Sequence, residues 1–310
     1  MIELTQEEII KDWKNTDIVV SINTLTYNHE KYIAQCIEGI LLQKTNFAFE
    51  LLIHDDASTD KTADIIREYE KKFPLIIKPI YQTENQWAKG IKNSVTYQYP
   101  RAKGKYIAIC EGDDYWIDEN KLQMQVDFLE NNPEYTMCFH GADFDIIGDF
   151  DVPERLKNIE DRDYTASEIF ETWTIPTASV VYNKKVLDLP VINVDKVLFG
   201  DIVIFEKCSH MGKIYGFSKK MSVYRIHDGG VSHNKKAMNK RRLALPKHFE
   251  FIFENFPLID RKIILKKIIR SYISCLVYCG TMRDKFCYAK NVIKYSNLLL
   301  SLWRKNGKRA

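Results

Sequence analysis

Residues 18–26 have the sequence Ile-Val-Val-Ser-Ile-Asn-Thr-Leu-Thr, a β-branched, apolar run that predicts a buried strand. In residues 33–41, which follow, apolar side chains recur at the spacing of one helix face. The apolar run at residues 49–54 predicts a second strand. A strand, a helix and a strand in this order predict a βαβ unit, in which the two strands run parallel.

The alternation of strands and helices continues outward from this unit. Further strands are predicted at residues 75–81, 105–110, 135–140 and 177–182, and a pair of extended segments at 213–225. Helices are predicted near residues 63–73, 87–99, 119–131 and 201–210, and throughout the chain beyond residue 238. We therefore expect an α/β protein with a Rossmann-like, mostly parallel central sheet flanked by helices, and a C-terminal helical extension.

The composition is that of a folded protein large enough for one domain with an appendage or for two domains. Of its 310 residues, 45% are hydrophobic and 28% are charged, which excludes collagen, low-complexity and disordered chains. Seven cysteines, most of them inside apolar runs, favour a reducing, cytoplasmic compartment. The acidic N-terminus and the short apolar runs predict neither a secretion signal nor a membrane-spanning helix.

The charge is unevenly distributed along the chain. Residues 261–310 contain thirteen Lys and Arg and one acid, a local charge of +12. The first 260 residues, with 32 basic and 41 acidic side chains, sum to −9. A cationic tail on an acidic body predicts that the tail meets an anionic surface.

Polar and acidic side chains follow three of the predicted strands. They are Thr26-Tyr-Asn-His29, Asp55-Asp-Ala-Ser58 and Glu111-Gly-Asp-Asp-Tyr-Trp116. The carboxyl ends of parallel strands meet at one edge of a sheet, where α/β proteins bind their ligands. Carboxylates this close repel each other unless a cation lies between them, so the pattern predicts a divalent metal, Mg²⁺ or Mn²⁺.

No glycine-rich phosphate loop follows any predicted strand. The sequence contains neither Gly-x-Gly-x-x-Gly nor Gly-x-x-x-x-Gly-Lys-Ser/Thr, so dinucleotide oxidoreductases and P-loop enzymes are disfavoured. A phosphate-bearing ligand at this acidic edge would have to bind through the metal.

Five stretches together form a specific set. They are Val20-Ser-Ile-Asn-Thr-Leu-Thr-Tyr-Asn28, Ile53-His-Asp-Asp-Ala-Ser-Thr-Asp60, Ile109-Cys-Glu-Gly-Asp-Asp-Tyr-Trp116, Phe199-Gly-Asp201 and Tyr224-Arg-Ile-His-Asp-Gly-Gly-Val-Ser232. The first three closely resemble the N-terminal motifs of family 2 glycosyltransferases with the GT-A fold. The fourth resembles the family's acceptor-site acidic motif, and the fifth its segment closing over the diphosphate. The resemblance covers about residues 17–235.

The resemblance implies a nucleotide-sugar donor, typically a UDP-sugar, together with a set of residues that binds it. The donor-binding set is Thr26, Tyr27, Asn28, Asp55, Asp56, Ser58, Asp113 and Arg225. Within it, Thr26 and Tyr27 would line the nucleoside pocket, and Asp55 or Asp56 would read the base. Asp113 would contact the ribose and Asp114 would hold the metal, with Asp113 as a further metal ligand and His227 as a third ligand or a phosphate contact. Many relatives have Asp-x-Asp where this chain has Glu111-Gly-Asp-Asp, so either aspartate is a candidate for the principal ligand.

The resemblance also implies an inverting transfer to an acceptor hydroxyl, with a carboxylate as general base. Asp201 is the expected base, and the alternative role for it is to cap the helix that follows. Trp116, His140 and Trp173 are expected on the acceptor side. The acceptor would be a glycan or a lipid-linked glycan of a cell-surface polysaccharide.

Residues 1–237 are expected to form the catalytic domain, with a nucleotide-binding half at about 17–118 and an acceptor half at about 119–237. Residues 238–310 would form a basic helical extension. Its cationic helices carry an apolar and aromatic stripe, which fits an anionic membrane surface on the inner face of the cytoplasmic membrane. A helical pair packed on the catalytic domain is the alternative. No nucleic acid is expected, because no reader motif accompanies the charge, and the sequence is compatible with a homodimer.

Two other functions are compatible with part of the pattern. A nucleotidyltransferase shares acidic metal chemistry on an α/β sheet, but it would normally need a basic, glycine-rich phosphate loop. A catalytically inactive nucleotide-sugar binder, acting as an assembly partner, would not need to retain both Asp114 and Asp201.

Overall fold

The computed structural model describes residues 3–229, 235–278 and 281–306, and the chain divides into two compact units. The first unit contains Met1–Tyr164, Thr174–Asp188 and Met211–His227. The second contains Thr165–Trp173, Leu189–His210 and Asp228–Ala310. The expected division into a catalytic domain and an extension at residue 237 stays a prediction.

The first unit contains one mixed sheet and the helices that cover it. Its strands are β1 (Ile18–Thr26), β2 (Ala48–Asp55), β3 (Ile77–Tyr81), β4 (Tyr106–Ile109), β5 (Tyr115–Trp116), β6 (Tyr135–Ile147), β7 (Arg162–Asp163), β8 (Val181–Asn183) and β9 (Lys213–His227). Its helices are α1 (Gln6–Ile10), α2 (Ile33–Leu41), α3 (Thr62–Lys72) and α4 (Lys121–Asn131).

The strand order in the sheet is β3-β2-β1-β4-β8-β6-β9-β5, and β7 pairs with β9. Strands β1 to β4 are parallel, as the βαβ pattern predicts. Strand β8 runs antiparallel to both β4 and β6, β6 and β9 are parallel, and β5 runs antiparallel to β9. The expectation of a mostly parallel sheet therefore holds for the first four strands, and the sheet as a whole is mixed.

The core lies where helices cover the first strands. Every residue of β2 is buried. The predicted inward face of α2 is confirmed, since Ile33, Cys36, Ile37, Ile40 and Leu41 are all buried. Residues of α3 and α4 join the same apolar cluster as β1 and β2. Helices on the sheet thus fix β1 and β2, whose carboxyl ends carry the polar motifs.

Some elements differ from the sequence expectation. The segment 213–225 is one strand, and its pairing with β6 skips from Phe217 to Lys220, so a bulge takes the place of the expected break. The expected helix at 87–99 is confined to a π-helix, Ser94–Gln98, and a 3₁₀ turn, Tyr99–Arg101. The expected strand at 177–182 begins only at Val181, because a 3₁₀ turn precedes it.

The second unit is helical. Its helices are α5 (Ala166–Thr172), α6 (Gly200–Met211, whose last residue is assigned to the first unit), α7 (Lys235–Asn255), α8 (Arg261–Tyr278) and α9 (Met282–Asn306). The expected all-helical C-terminal region is confirmed over the described residues. The hydroxyl groups of Tyr272 and Tyr295 both donate to Glu250 Oε1, at 2.7 and 2.8 Å, and their rings stack. These contacts join α7, α8 and α9.

Candidate active site

The carboxyl ends of β1, β2 and β4 meet at one edge of the sheet in the first unit. Thr26 pairs with Asp55 in the parallel register, and the Asp56 amide donates to the Thr26 carbonyl at 3.0 Å. The Gly112 amide donates to the Leu25 carbonyl at 2.9 Å. A Cβ atom added at Gly112 would lie 2.8 Å from Thr26 Cβ, so this close approach requires glycine. The three predicted motifs are therefore adjacent in space.

The two loops after β1 and β2 are held together by side chains. Asn28 has a left-handed backbone, with φ at 57°. Its amide donates to Ser58 Oγ at 2.9 Å, and its side-chain oxygen accepts from the Thr59 amide at 2.8 Å. Asn and Asp tolerate this conformation better than other non-glycine residues. Tyr27, which follows the buried Thr26, is 43% exposed, and this makes its ring available to a ligand.

Asp55 and Asp56 have different environments. Asp55 accepts a hydrogen bond from the Ser58 hydroxyl, and burial raises the pKa of Asp55. Asp56 accepts from the backbone amides of Gln86 and Trp87, at 2.8 and 3.0 Å, and so holds the loop after β3. Both carboxylates stay candidates for reading a nucleobase.

Asp113 faces two histidines. Its Oδ2 atom lies 3.2 Å from His227 Nε2 and 3.8 Å from His29 Nε2. Burial alone would raise the pKa of Asp113, but the hydrogen bond from His227 and the charges of His29 and His227 outweigh it, so the pKa is lowered. His29 ends the polar stretch that follows β1, yet the sequence predicted no role for it. His29 comes close to Asp113 only in the folded chain, where β1 and β4 are neighbours in the sheet.

Asp114 is placed quite differently. Its side chain is buried, and its Oδ1 atom accepts a hydrogen bond from the Arg225 backbone amide at 2.8 Å. Burial and the nearby charges of Asp113 and Glu111 raise the pKa of Asp114 well above its usual value. Between the two candidate ligands that the sequence left open, this geometry favours Asp113.

Arg225 links the third motif to β9. Its Nη1 donates to the Asp113 carbonyl at 2.6 Å, its Nε to Asp145 Oδ2 at 3.1 Å, and its Nη2 to the Gln35 side chain. The guanidinium also lies over the rings of Tyr32 and Tyr115, 4.9 and 4.4 Å from their centres. All three nitrogens have partners in the protein. The expected contact of Arg225 with the diphosphate stays a prediction, which these bonds disfavour.

The residues at this edge fit a metal that a ligand helps to hold. Among residues 3–229, 235–278 and 281–306, no group of three or more His, Cys, Asp or Glu side chains is arranged to hold a metal ion. The Asp113 oxygen and the His227 nitrogen are both donor types that Mn²⁺ accepts. Hard cations at nucleotide sites commonly take one or two protein ligands, with phosphate oxygens and water completing the shell. Gly230–Ser232, the end of the fifth motif, lies outside the described residues.

In the second unit, Asp201 lies in the first turn of α6, which begins at Gly200. It is therefore inside the helix and not at its N-cap. Trp173 donates from Nε1 to Asp201 Oδ2 at 3.2 Å. The backbone of Trp173 is left-handed, with φ and ψ both at 52°, and its ring packs edge-on against Phe199 at 4.8 Å. Non-glycine residues in this conformation are strained and often occur at functional sites.

The other two residues expected on the acceptor side are buried in the first unit. Trp116 is 3% exposed, and its Nε1 donates to the Ala178 carbonyl at 2.8 Å. His140 is fully buried beside its neighbour's carbonyl, and burial puts its pKa well below the usual value. Contact of Trp116 and His140 with an acceptor stays a prediction, which their burial disfavours.

Comparison of the sequence with known proteins finds a matching family profile and several similar proteins. The sequence profile of "Glycosyl transferase family 2" matches residues 21–188. An uncharacterized protein of Mycobacterium tuberculosis is 35% identical over 220 residues, which are 69% of this chain and 61% of that protein. The chain thus spans less than two thirds of this relative. An Escherichia coli protein named "UDP-Glc:alpha-D-GlcNAc-diphosphoundecaprenol beta-1,3-glucosyltransferase WfaP" is 29% identical over 70% of this chain and 81% of its own length.

Solved structures share the fold at low sequence identity. S. aureus TarS 1-349, in complex with UDP, has a TM-score of 0.61 and 16% identity, covering 90% of this chain and 80% of its own. The mannosyltransferase PcManGT from Pyrobaculum calidifontis, in complex with GDP-Man and Mn²⁺, has a TM-score of 0.53 and 15% identity, covering 95% and 88%. The shared architecture is the GT-A fold, a mixed sheet with helices, followed here by C-terminal helices.

Proposed function

The chain belongs to glycosyl transferase family 2, as its motifs predict, and on that premise we propose that it is an inverting glycosyltransferase with a UDP-sugar as donor. The observation that carries the proposal is the meeting of the three motifs at one sheet edge, with Asp113 beside His227. The nucleotidyltransferase alternative loses its support, because the family is a glycosyltransferase family.

The residues that we propose to bind the donor belong to the first unit. The nucleoside would lie against Thr26, Tyr27 and Asn28, with Asp55 or Asp56 reading the base. The exposed ring of Tyr27 supports this placement, since an aromatic face can stack on a base. UDP as the nucleotide is supported by the UDP complex of TarS and by the UDP-Glc in the name of WfaP.

We propose Asp113 and His227 as the protein ligands of a divalent metal, Mn²⁺ or Mg²⁺. When bound, such a metal stabilises negative charge on a departing diphosphate. Asp114 and Arg225 act here as positioning residues. Asp114 ties its loop to β9, and Arg225 holds the Asp113 backbone. The Mn²⁺ in the PcManGT complex supports a metal at this kind of site.

Transfer to an acceptor hydroxyl needs a base, and we propose Asp201 for this role. The acceptor oxygen attacks the anomeric carbon while the bond from that carbon to the diphosphate breaks, and the hydroxyl proton passes to the Asp201 carboxylate. One displacement of this kind inverts the anomeric configuration. The indole N–H of Trp173 holds Oδ2, which fixes the orientation of the carboxylate before the reaction.

The acceptor is proposed to be a lipid-linked glycan of cell-surface polysaccharide synthesis. The diphosphoundecaprenol acceptor in the name of WfaP supports this class. An acceptor of this kind places the reaction at the inner face of the cytoplasmic membrane. Two further expectations stay predictions: the protein forms a homodimer, and it binds no nucleic acid.

The decisive test of the proposal is Asp201→Asn, assayed with a panel of nucleotide sugars and a lipid-linked acceptor. The wild type should turn over a UDP-sugar with inversion. Asp201→Asn should lower kcat by roughly 10²-fold or more, the usual scale for loss of a general base, while UDP binding stays within about twofold. Wild-type kcat in Asp201→Asn would return this residue to a structural role. Donor binding without turnover in the wild type would leave the inactive-binder alternative.

A further inference from the structure

Helix α9 exposes four large apolar side chains on one narrow face. Met282, Phe286, Ile293 and Leu300 are 83, 66, 62 and 54% exposed. At about 100° per residue their directions fall within an arc of about 40°. Exposed apolar side chains that occur singly need no explanation, but a contiguous stripe marks an interaction surface. These four residues are called the α9 stripe below.

The α9 stripe is not the face that holds α9 in its unit. Tyr295 points in roughly the opposite direction, since it is about 140° away around the helix axis. It is buried, donates to Glu250 and stacks on Tyr272. The helix is therefore docked through one face, while the α9 stripe is left to solvent.

Basic side chains border the α9 stripe. By the same helical geometry, Arg283 and Lys290 lie on one side of it, Lys285 on the other, and Arg304 near its C-terminal end. Residues 261–310 carry thirteen basic residues against one acid. An apolar stripe between cationic borders matches the boundary between the acyl chains and the headgroups of an anionic membrane.

We infer that the α9 stripe binds an anionic phospholipid surface, with α9 lying in the plane of the membrane. In the described part of the chain no helix is both long and apolar enough to span a membrane, so the contact is interfacial. A second copy of the chain fits the stripe less well, because it would bring two strongly cationic helices together. The inference rests on exposure and charge, and it is independent of the sugar transferred.

The test is co-sedimentation of the full chain with vesicles of phosphatidylglycerol and phosphatidylcholine in equal parts, and with phosphatidylcholine alone. The wild type should pellet with the anionic vesicles, more weakly at high salt. Phe286→Ser/Ile293→Ser should weaken binding at least tenfold, because the apolar component is lost. Arg283→Gln/Lys290→Gln should weaken it about fivefold per charge at low salt and less at high salt.

The matched control is Leu75→Ser/Ile192→Ser, which removes two apolar side chains of similar exposure outside the α9 stripe. It should bind vesicles like the wild type, and thermal unfolding should show that every variant is folded. The inference would be overturned by no pelleting of the wild type at low salt, by equal binding of Phe286→Ser/Ile293→Ser, or by tighter binding to duplex DNA than to vesicles of matched charge. Light scattering that gives a wild-type dimer and a monomeric Phe286→Ser/Ile293→Ser would assign the α9 stripe to a second copy instead.

Discussion

Asp113 and Asp114 are adjacent in the chain and chemically identical, yet the fold gives them opposite surroundings. Asp113 faces two imidazoles, which lower its pKa. Asp114 is turned into the protein, where burial raises its pKa and a backbone amide occupies one oxygen. The sequence alone could not distinguish the two aspartates, because their surroundings differ through contacts with β9, which lies more than a hundred residues away in the chain. Environment, and not residue type, assigns roles to neighbouring carboxylates.

Asp114 should tolerate loss of its charge but not loss of its oxygen. In Asp114→Asn the amide oxygen can still accept from the Arg225 amide, so stability should stay close to that of the wild type. Asp114→Ala leaves that buried amide unpaired and should lower the free energy of unfolding by about 1–3 kcal/mol. Urea unfolding of the two variants measures the difference. Equal destabilisation by both would show that the hydrogen bond is not what Asp114 contributes.

Trp173 is predicted to act through Asp201. Trp173→Phe removes the indole N–H that donates to Asp201 Oδ2 and keeps an aromatic ring. We expect kcat to fall about tenfold, on the scale of a hydrogen bond to a charged group, with KM for the donor unchanged. The acidic limb of the rate profile should move to higher pH, because the bond stabilises the ionised carboxylate.

The control for Trp173→Phe is Trp303→Phe, since Trp303 is exposed in α9 and has no part in the proposed mechanism. It should leave both kcat and the pH profile unchanged. A lowered kcat in Trp173→Phe with an unshifted profile would mean that Trp173 only supports the local fold.

Among the elements, those defined by local pattern were predictable and those defined by distant pairing were not. Strands β1 and β2 and helix α2 followed from β-branched runs and helical spacing. The bulge between Phe217 and Lys220 exists only in the pairing of β9 with β6. The same holds for Arg225, whose three nitrogens bind residues from three other segments. The meeting of the motifs at one edge of the sheet was therefore predictable from the sequence. The hydrogen bonds that Arg225 makes there were not.

Helix α4 begins with a fully buried lysine. Lys121 Nζ donates to Gln125 Oε1 at 2.8 Å and lies 4.0 Å from the centre of the Trp116 ring. Burial lowers the pKa of Lys121 to about 7 from its ordinary 10.5. Between these two values the unfolded chain binds a proton that the folded chain does not. The contribution of Lys121 to the free energy of unfolding therefore rises with pH across that range, by about 1.4 kcal/mol per pH unit.

Lys121→Met should remove this pH dependence. Relative to the variant, the wild type should become more stable as pH rises from about 7 towards 10, because the cost of burying the charge disappears. Urea unfolding at several pH values measures the gap. Lys44→Met, at a mostly exposed lysine, is the control and should give curves parallel to the wild type. Parallel curves for Lys121→Met would contradict a lowered pKa for Lys121.

At the scale of the whole molecule, the sequence predicted an α/β region followed by C-terminal helices, and the described residues show both. Helical spacing could not say which apolar face of the tail packs and which stays exposed. Tyr272 and Tyr295 stack on each other and both donate to Glu250, a contact between three helices. One face of α9 is thus packed on its neighbouring helices and another is exposed, while membrane binding and packing on the catalytic domain both stay predictions.

The central claim is that the first unit binds a nucleoside diphosphate together with a metal held by Asp113 and His227. Calorimetric titration of UDP into the full chain, with Mn²⁺ and with EDTA, tests it most directly. The wild type should bind UDP at least tenfold more tightly with Mn²⁺, and Asp113→Asn should bind equally weakly in both conditions while remaining folded. Equal UDP affinity of the wild type in Mn²⁺ and in EDTA, or an undiminished Mn²⁺ effect in Asp113→Asn, would contradict the claim.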